Sequence, residues 1–164
     1  MSLPDFVQET IDLLQTQGNG GNWSAANYSP HPTLIDGDEM RLQSGGRARS
    51  VDIVNENVVT VSSSPTGINE PIGTEFDFRV ERPVSVEIEG YHQDGGGQIT
   101  DKDDFDSLVA EARRAILASR TFPTSGDITN LEITEENDLS PDDGDANYFR
   151  YQFDVTYKGY EELP

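Results

Sequence analysis

DKDDFDSLVAEARRAILASRTFP, residues 101–123, spaces Phe105, Leu108, Val109, Ala112 and Ile116 three and four positions apart, so all five share one stripe of a helix. A stripe that broad has to lie on a sheet. Thr100 or Asp101 is placed to cap the first turn. Asp103, Asp104 and Asp106 sit at the positive end of the helix dipole, and Arg113, Arg114 and Arg120 lie towards the negative end. Pro123 and Gly126 then stop the helix. Ahead of it, PVSVEIEGYH (83–92) alternates Val84, Val86 and Ile88 with Ser85, Glu87 and Glu89, the pattern of a strand with one apolar and one wet face. Behind it, DITNLEITEEN (127–137) offers a short strand through Ile128, Leu131 and Ile133. NYFRYQFDVTYKGY (147–160) offers a longer one, with Phe149, Tyr151, Phe153, Val155 and Tyr157 on one face and Arg150, Gln152, Asp154 and Thr156 on the other. So much apolar area demands a central place in the sheet.

Towards the N-terminus, Leu3, Phe6, Val7, Ile11 and Leu14 share a face and predict a helix from about Leu3 to Gln17, with Ser2 and Asp5 as its capping arrangement and Gly18 as its stop. From Gly18 to Ser50 the composition turns to Gly, Asn, Ser and Pro, with Trp23, Tyr28, Leu34, Ile35 and Met40 scattered without a long period. The stretch is too long for a simple connection and reads as a projecting arm or loop, either solvated or ordered on a partner. Ser50–Val54 and Val58–Ser63 are short strands, expected to pair as a hairpin across Asn55, Glu56 and Asn57. Ser64–Gly73, with Pro65, Gly67, Pro71 and Gly73, reads as a turn-rich connection. Phe76, Phe78 and Val80 alternate with Asp77, Arg79 and Glu81 in a further strand, which Pro83 is expected to interrupt. There is no internal repeat. The sum is one α+β domain over residues 1–164: a mixed or antiparallel sheet carrying an N-terminal helix and a late amphipathic helix, with residues 18–50 as its arm.

The 31 acidic and 11 basic residues give a formal net charge of −20, and Lys102 and Lys158 are the only lysines. Such an excess repels nucleic-acid phosphates and anionic membrane surfaces. An acidic, lysine-poor surface on an ordinary core pattern fits work in concentrated salt, where carboxylates stay hydrated and their repulsion is screened. Six Tyr and seven Phe, many at strand and helix periods, argue against disorder. The absence of cysteine removes disulfides, thiolate metal sites and cysteine nucleophiles together. No apolar run is long enough to span a membrane, and Asp5 and Glu9 break any signal-peptide pattern, so an aqueous interior is expected.

Chemistry is sparse. Acidic pairs such as Asp103–Asp104, Glu135–Glu136 and Asp142–Asp143 occur throughout, so paired carboxylates are no acid/base signature here. His31 and His92 are the only histidines, and no motif joins them to Ser24, Ser29 or Ser85 as base and nucleophile. Asp143, Asp145, Asn147 and Asp154 imitate calcium-loop spacing, but the sixth and twelfth places hold Tyr148 and Asp154 where Gly and Glu are needed. Asp94 and the glycines 95–97 lack phosphate-loop spacing. No catalytic residue, metal ligand or cofactor is nominated. Arg113, Arg114 and Arg120 either meet carboxylates of a neighbouring subunit or compensate the dipole and pair locally with Glu111.

The runs 83–92, 101–123, 127–137 and 147–160 together resemble the core of tail-terminator and tail-completion proteins of long-tailed viruses. The resemblance is one of element order and texture over most of the chain, without an invariant motif. With the acidic composition it implies a neck or tail protein of a virus infecting a halophilic archaeon, made in the host cytoplasm and resident at the head–tail junction of the virion. Such proteins form a ring, often a hexamer, that caps the tail tube and docks to the head–tail connector or adaptor, and they use no cofactor. DNA would be passing cargo only. The implied contacts are Trp23, Tyr28, Arg47 and Arg49 from the arm, strand edges at Phe76–Arg82 and Tyr148–Tyr160 with Phe76, Phe78, Tyr148, Tyr157 and Tyr160, and an acidic loop at Glu135–Asn147 facing solvent or the channel. A head-completion, adaptor or tail-tube role is the near alternative. A small halophilic enzyme or ligand-binding domain is the alternative of another class.

Overall fold

A computed structural model describes residues 5–39, 57–64, 67–71, 77–91, 102–119, 128–140 and 148–162. Helix α1 spans Phe6–Leu14, and strands β1 and β2 span Thr33–Asp36 and Val58–Ser63. Strand β3 spans Ile68–Pro71 and β4 Asp77–Tyr91. Helix α2 spans Lys102–Leu117, followed by β5 at Ile128–Asp138 and β6 at Tyr148–Glu162. The six strands make one sheet in the order β1-β2-β4-β6-β5, with β3 also on β4. β1 and β2 run parallel and every other pair antiparallel, so the sheet is mixed and the fold is α+β.

The registers place the alternating apolar residues in rows across the sheet. Val61, Val86 and Phe153 stand opposite one another, as do Val59, Ile88 and Tyr151, while Val84, Val155 and Ile133 form a third row. Both helices cover this face. α1 touches β1, β2, β4 and α2, and α2 touches β5 and β6. The predicted stripe Phe105, Leu108, Val109, Ala112 and Ile116 is buried against the sheet, with Phe105 stacked on Phe149 at 5.4 Å between ring centres. β6 lies between β4 and β5, the central position its aromatic face requires.

Several expectations are corrected. α1 begins at Phe6, with Asp5 as cap: its carboxylate accepts hydrogen bonds from the Val7 and Gln8 amides at 3.1 and 3.2 Å. Leu3 and Ser2 lie outside the described residues. The helix ends at Leu14, because the chain turns back there: the Asn22 and Trp23 amides bond to the Leu13 and Gln15 carbonyls, both at 3.0 Å. At Gly21 an added Cβ would stand 2.1 Å from the Gln15 carbonyl oxygen, so only glycine permits this approach.

The first half of the expected arm is part of the core. Trp23 and Tyr28 are buried, and residues 33–36 form β1. The Trp23 indole N–H donates to the Tyr28 carbonyl at 3.1 Å, and the Tyr28 phenol accepts from buried Asn57 at 3.1 Å. Single large side chains, each with its polar atom satisfied, replace the periodic pattern of a helix or strand. Met40 and residues 41–50 lie outside the described residues, as do Ser50–Val54. Over Val58–Val61 both edges of β2 are taken by β1 and β4, which leaves no edge there for the expected hairpin partner.

The turn-rich stretch contains β3, whose Ile68–Pro71 pairs with Phe78–Glu81. Pro83 does not divide β4, which is continuous to Tyr91. The partners β2 and β3 share one side of β4 and leave Arg82 and Pro83 between them, so the residue without an N–H stands where no strand pairs on that side. Glu89, expected on the wet face, is buried beside Val58 and Arg150 in the register. β5 runs on to Asp138, so Glu135–Asp138 belong to a strand and not to a loop.

Candidate functional site

Glu111 places a carboxylate within the buried side of α2. Its oxygens accept from the Ser24 amide at 2.9 Å and the Asn27 side-chain amide at 2.8 Å, and the Arg114 guanidinium Nε donates to both. Burial alone would push the carboxyl up; Arg114, Ser24 and Asn27 overcome it and hold Glu111 below its ordinary value. Arg114 also donates to the Asn22 carbonyl at 2.6 Å, and the Asn22 side chain donates to the Ala115 carbonyl at 2.9 Å. Residues 22–27 are thereby clamped to the C-terminal half of α2. His31 closes the same region: its Nε2 donates to the Leu14 carbonyl at 2.8 Å, and its ring meets Trp23 edge to face.

The other flank of α2 is held to β5. Lys102 lies 2.7 Å from Asp138, and Arg113 lies 2.6 Å from Glu136. These contacts depend on a β-bulge. Thr134 opposes Asp154 and Asn137 opposes Gln152, so β5 carries one extra residue between them, with Glu135 at φ 54°. The shift turns Glu136 and Asp138 towards the helix side, where Glu136 also accepts from the Tyr151 phenol at 3.3 Å. Glu135 is left on the opposite face.

That opposite face carries polar cross-strand pairs: Glu87 with Arg150 at 2.9 Å, Gln152 with Ser85 at 3.1 Å, and Lys158 with Glu132. Within it lies a depression of about 220 Å³ lined by Glu81, Pro83, Thr134, Glu135, Asp154 and Thr156, together with Gly67. Burial, and then the charge of Glu135, push the Asp154 carboxyl up. Among the described residues no group of three or more His, Cys, Asp or Glu is placed to hold a metal ion. The calcium-like residues Asp143, Asp145 and Asn147 fall outside the described residues. No described helix is long and apolar enough to cross a membrane.

The structure divides the expected contact residues. Trp23, Tyr28 and Tyr157 are buried inside the chain, and a partner cannot reach them without unfolding it. Burial pushes the Tyr28 phenol up to about 12, and pushes Tyr157 up as well. Phe78 and Tyr148 occupy paired positions, opposite Pro71 and Glu161 and opposite Tyr91. Because β4 and β6 are both interior strands, the main-chain edges expected from Phe76–Arg82 and Tyr148–Tyr160 are already used, on both sides over most of their length. Tyr160 is exposed at 48%. Arg47, Arg49, Phe76 and Arg120 lie outside the described residues. Arg113 and Arg114 are brought together on the exposed side of α2, and Arg114 takes the local Glu111 pairing that the sequence offered as the alternative.

The sequence shows Glu111 only as a local partner for the arginines, and carries no period that marks Asn22, Asn27 or the helix-facing side of Glu136. The available signal was Glu111 itself, three residues after Leu108 and four before Ala115, within the buried stripe. Compared with family models and with curated proteins, the sequence gives no significant match.

Proposed function

We propose that this chain is a structural subunit of a tailed-virus head–tail junction, a self-assembling protein that forms a ring, caps the tail tube and joins it to the head connector. The observation that carries the reading is the order of elements: an N-terminal helix, a mixed sheet, a late amphipathic helix on the same face, and an aromatic closing strand at the centre. This is the order that the resemblance to tail-terminator proteins implies. The charge of −20 supports a setting of concentrated salt, where repulsion between copies and with passing DNA is short-ranged.

The role is non-catalytic. His31 is occupied by the Leu14 carbonyl, and Tyr28 and Tyr157 have phenols that burial keeps protonated, so these groups serve the core. The test is light scattering of the purified chain in molar salt combined with imaging of particles that lack it. A ring on tube ends, and tails of uncontrolled length in its absence, support the terminator role. Full heads that leak DNA would move the role to the adaptor. A strict monomer that never joins tubes would defeat both.

A further inference from the structure

With its apolar stripe and the Glu111 clamp accounted for, α2 still presents a depression of about 430 Å³ lined by Ala110, Arg113, Arg114, Leu117 and Ala118. Ala110 and Ala118 are exposed, and the two arginine side chains are 39% and 43% exposed. Arg113 donates from Nη2 to Glu136, with Nε within ion-pair distance of the same carboxylate, and Arg114 donates from Nε and Nη2 to Glu111 and from Nη2 to the Asn22 carbonyl. The Nη1 group of each has no partner among the described residues. Arg79, Lys102, Arg150 and Lys158 stand apart from this pair, each against carboxylates of its own.

Two copies of a chain carrying −20 repel at long range. In molar salt the screening length falls to about 3 Å, so association is decided by groups in contact. A second copy is rich in carboxylates: its acidic residues outnumber its basic ones by 31 to 11. Guanidinium N–H groups bind carboxylates in a planar fork, and here an apolar floor lies beside them. We infer that the α2 depression is an assembly contact in which surface carboxylates of a second copy of this chain engage Arg113 and Arg114 over Ala110, Leu117 and Ala118. A depression that offers two open guanidinium edges to an acidic surface elsewhere on the next copy makes a heterologous contact, the type that closes rings when its rotation closes. The inference rests on the assembly reading above and names the surface that serves it.

The test places a carboxylate in the depression without touching the core. In Ala110→Glu the new group lies three and four residues before Arg113 and Arg114 and occupies them; Ala118→Glu lies four residues after Arg114 and occupies that one. Gln8→Glu adds the same charge on α1, where residue 8 is exposed. Light scattering across a concentration series in molar KCl measures association of the wild type and the three variants, and hydrogen exchange on the wild type follows amides 113–119. The expected result is that Ala110→Glu and Ala118→Glu raise the concentration for half-association on the order of tenfold or more, while Gln8→Glu leaves it unchanged. Exchange at 113–119 slows as the wild type associates. If all variants assemble like the wild type and exchange is unaltered, this contact is wrong and the ring reading survives. If the wild type stays monomeric throughout, both fall. Duplex DNA binding in the same salt that Ala110→Glu abolishes would overturn the contact in favour of a nucleic-acid surface.

Discussion

The Tyr157 phenol lies 2.8 Å from the Thr10 hydroxyl and ties the closing strand to the first helix across 147 residues of sequence. Thr10 donates its one proton to the Phe6 carbonyl at 2.7 Å, so Tyr157 is the donor to Thr10. The Phe6 and Tyr157 rings stack at 4.8 Å beside this chain of bonds. Tyr157→Phe keeps the stack and loses one hydrogen bond, which costs about 1 kcal/mol. Thr10→Val leaves a buried phenol without its acceptor and costs about 1–3 kcal/mol. Denaturant midpoints that fail to rank Thr10→Val at or below Tyr157→Phe would count against this arrangement.

Truncating the α2 stripe removes more. Phe105 is fully buried on Phe149, and Phe105→Ala is expected to cost about 3–5 kcal/mol through lost transfer energy and the cavity left behind. A change within experimental error in equilibrium unfolding would mean that α2 does not seal the sheet.

Two carboxylates give opposite pH signatures. Glu111 is held below its ordinary value, so its stabilisation is complete above the usual carboxylate range and is lost as pH falls through the depressed value. Glu111→Gln flattens this acid limb and costs about 1–3 kcal/mol at neutral pH, with half-exposed Arg114 left the Asn22 carbonyl and solvent. Glu87 is pushed up, first by burial, against Arg150 and with Glu89. The folded state then holds the proton more tightly, and stability falls as pH rises from the ordinary carboxylate value through the raised one. Glu87→Gln removes that fall. Unfolding midpoints of the two variants across acid to neutral pH check both signs.

The bulge in β5 holds Glu135 at φ 54°, in the left-handed region that disfavours a side chain. Glu135→Gly relieves this and also removes a like charge beside Asp154, for an expected gain of about 0.5–1 kcal/mol. Destabilisation by that substitution would show that Glu135 makes a stabilising contact.

Most of the sheet and both helices are legible in the sequence because α2, β4 and β6 bury continuous faces, and a continuous face leaves a period. Residues 23–36 are not legible as core, since Trp23 and Tyr28 are buried one at a time through bonds to Asn57 and a neighbouring carbonyl. β3 is hidden by Pro71, which reads as a turn yet pairs with Phe78 at the strand end. The bulge changes which side Glu136 faces, so a strict alternation places it on the wrong face and misses its pairing with Arg113. Glu111 reads as surface charge by composition, although its place in the stripe assigns it to the interior.

The mass of the chain by light scattering in molar salt, taken with electron micrographs of the same sample mixed with tail tubes, decides whether it assembles. The expected result is a closed ring, a fixed multiple of the subunit mass, seated on tube ends. A single subunit mass at every concentration, with bare tubes, would contradict it.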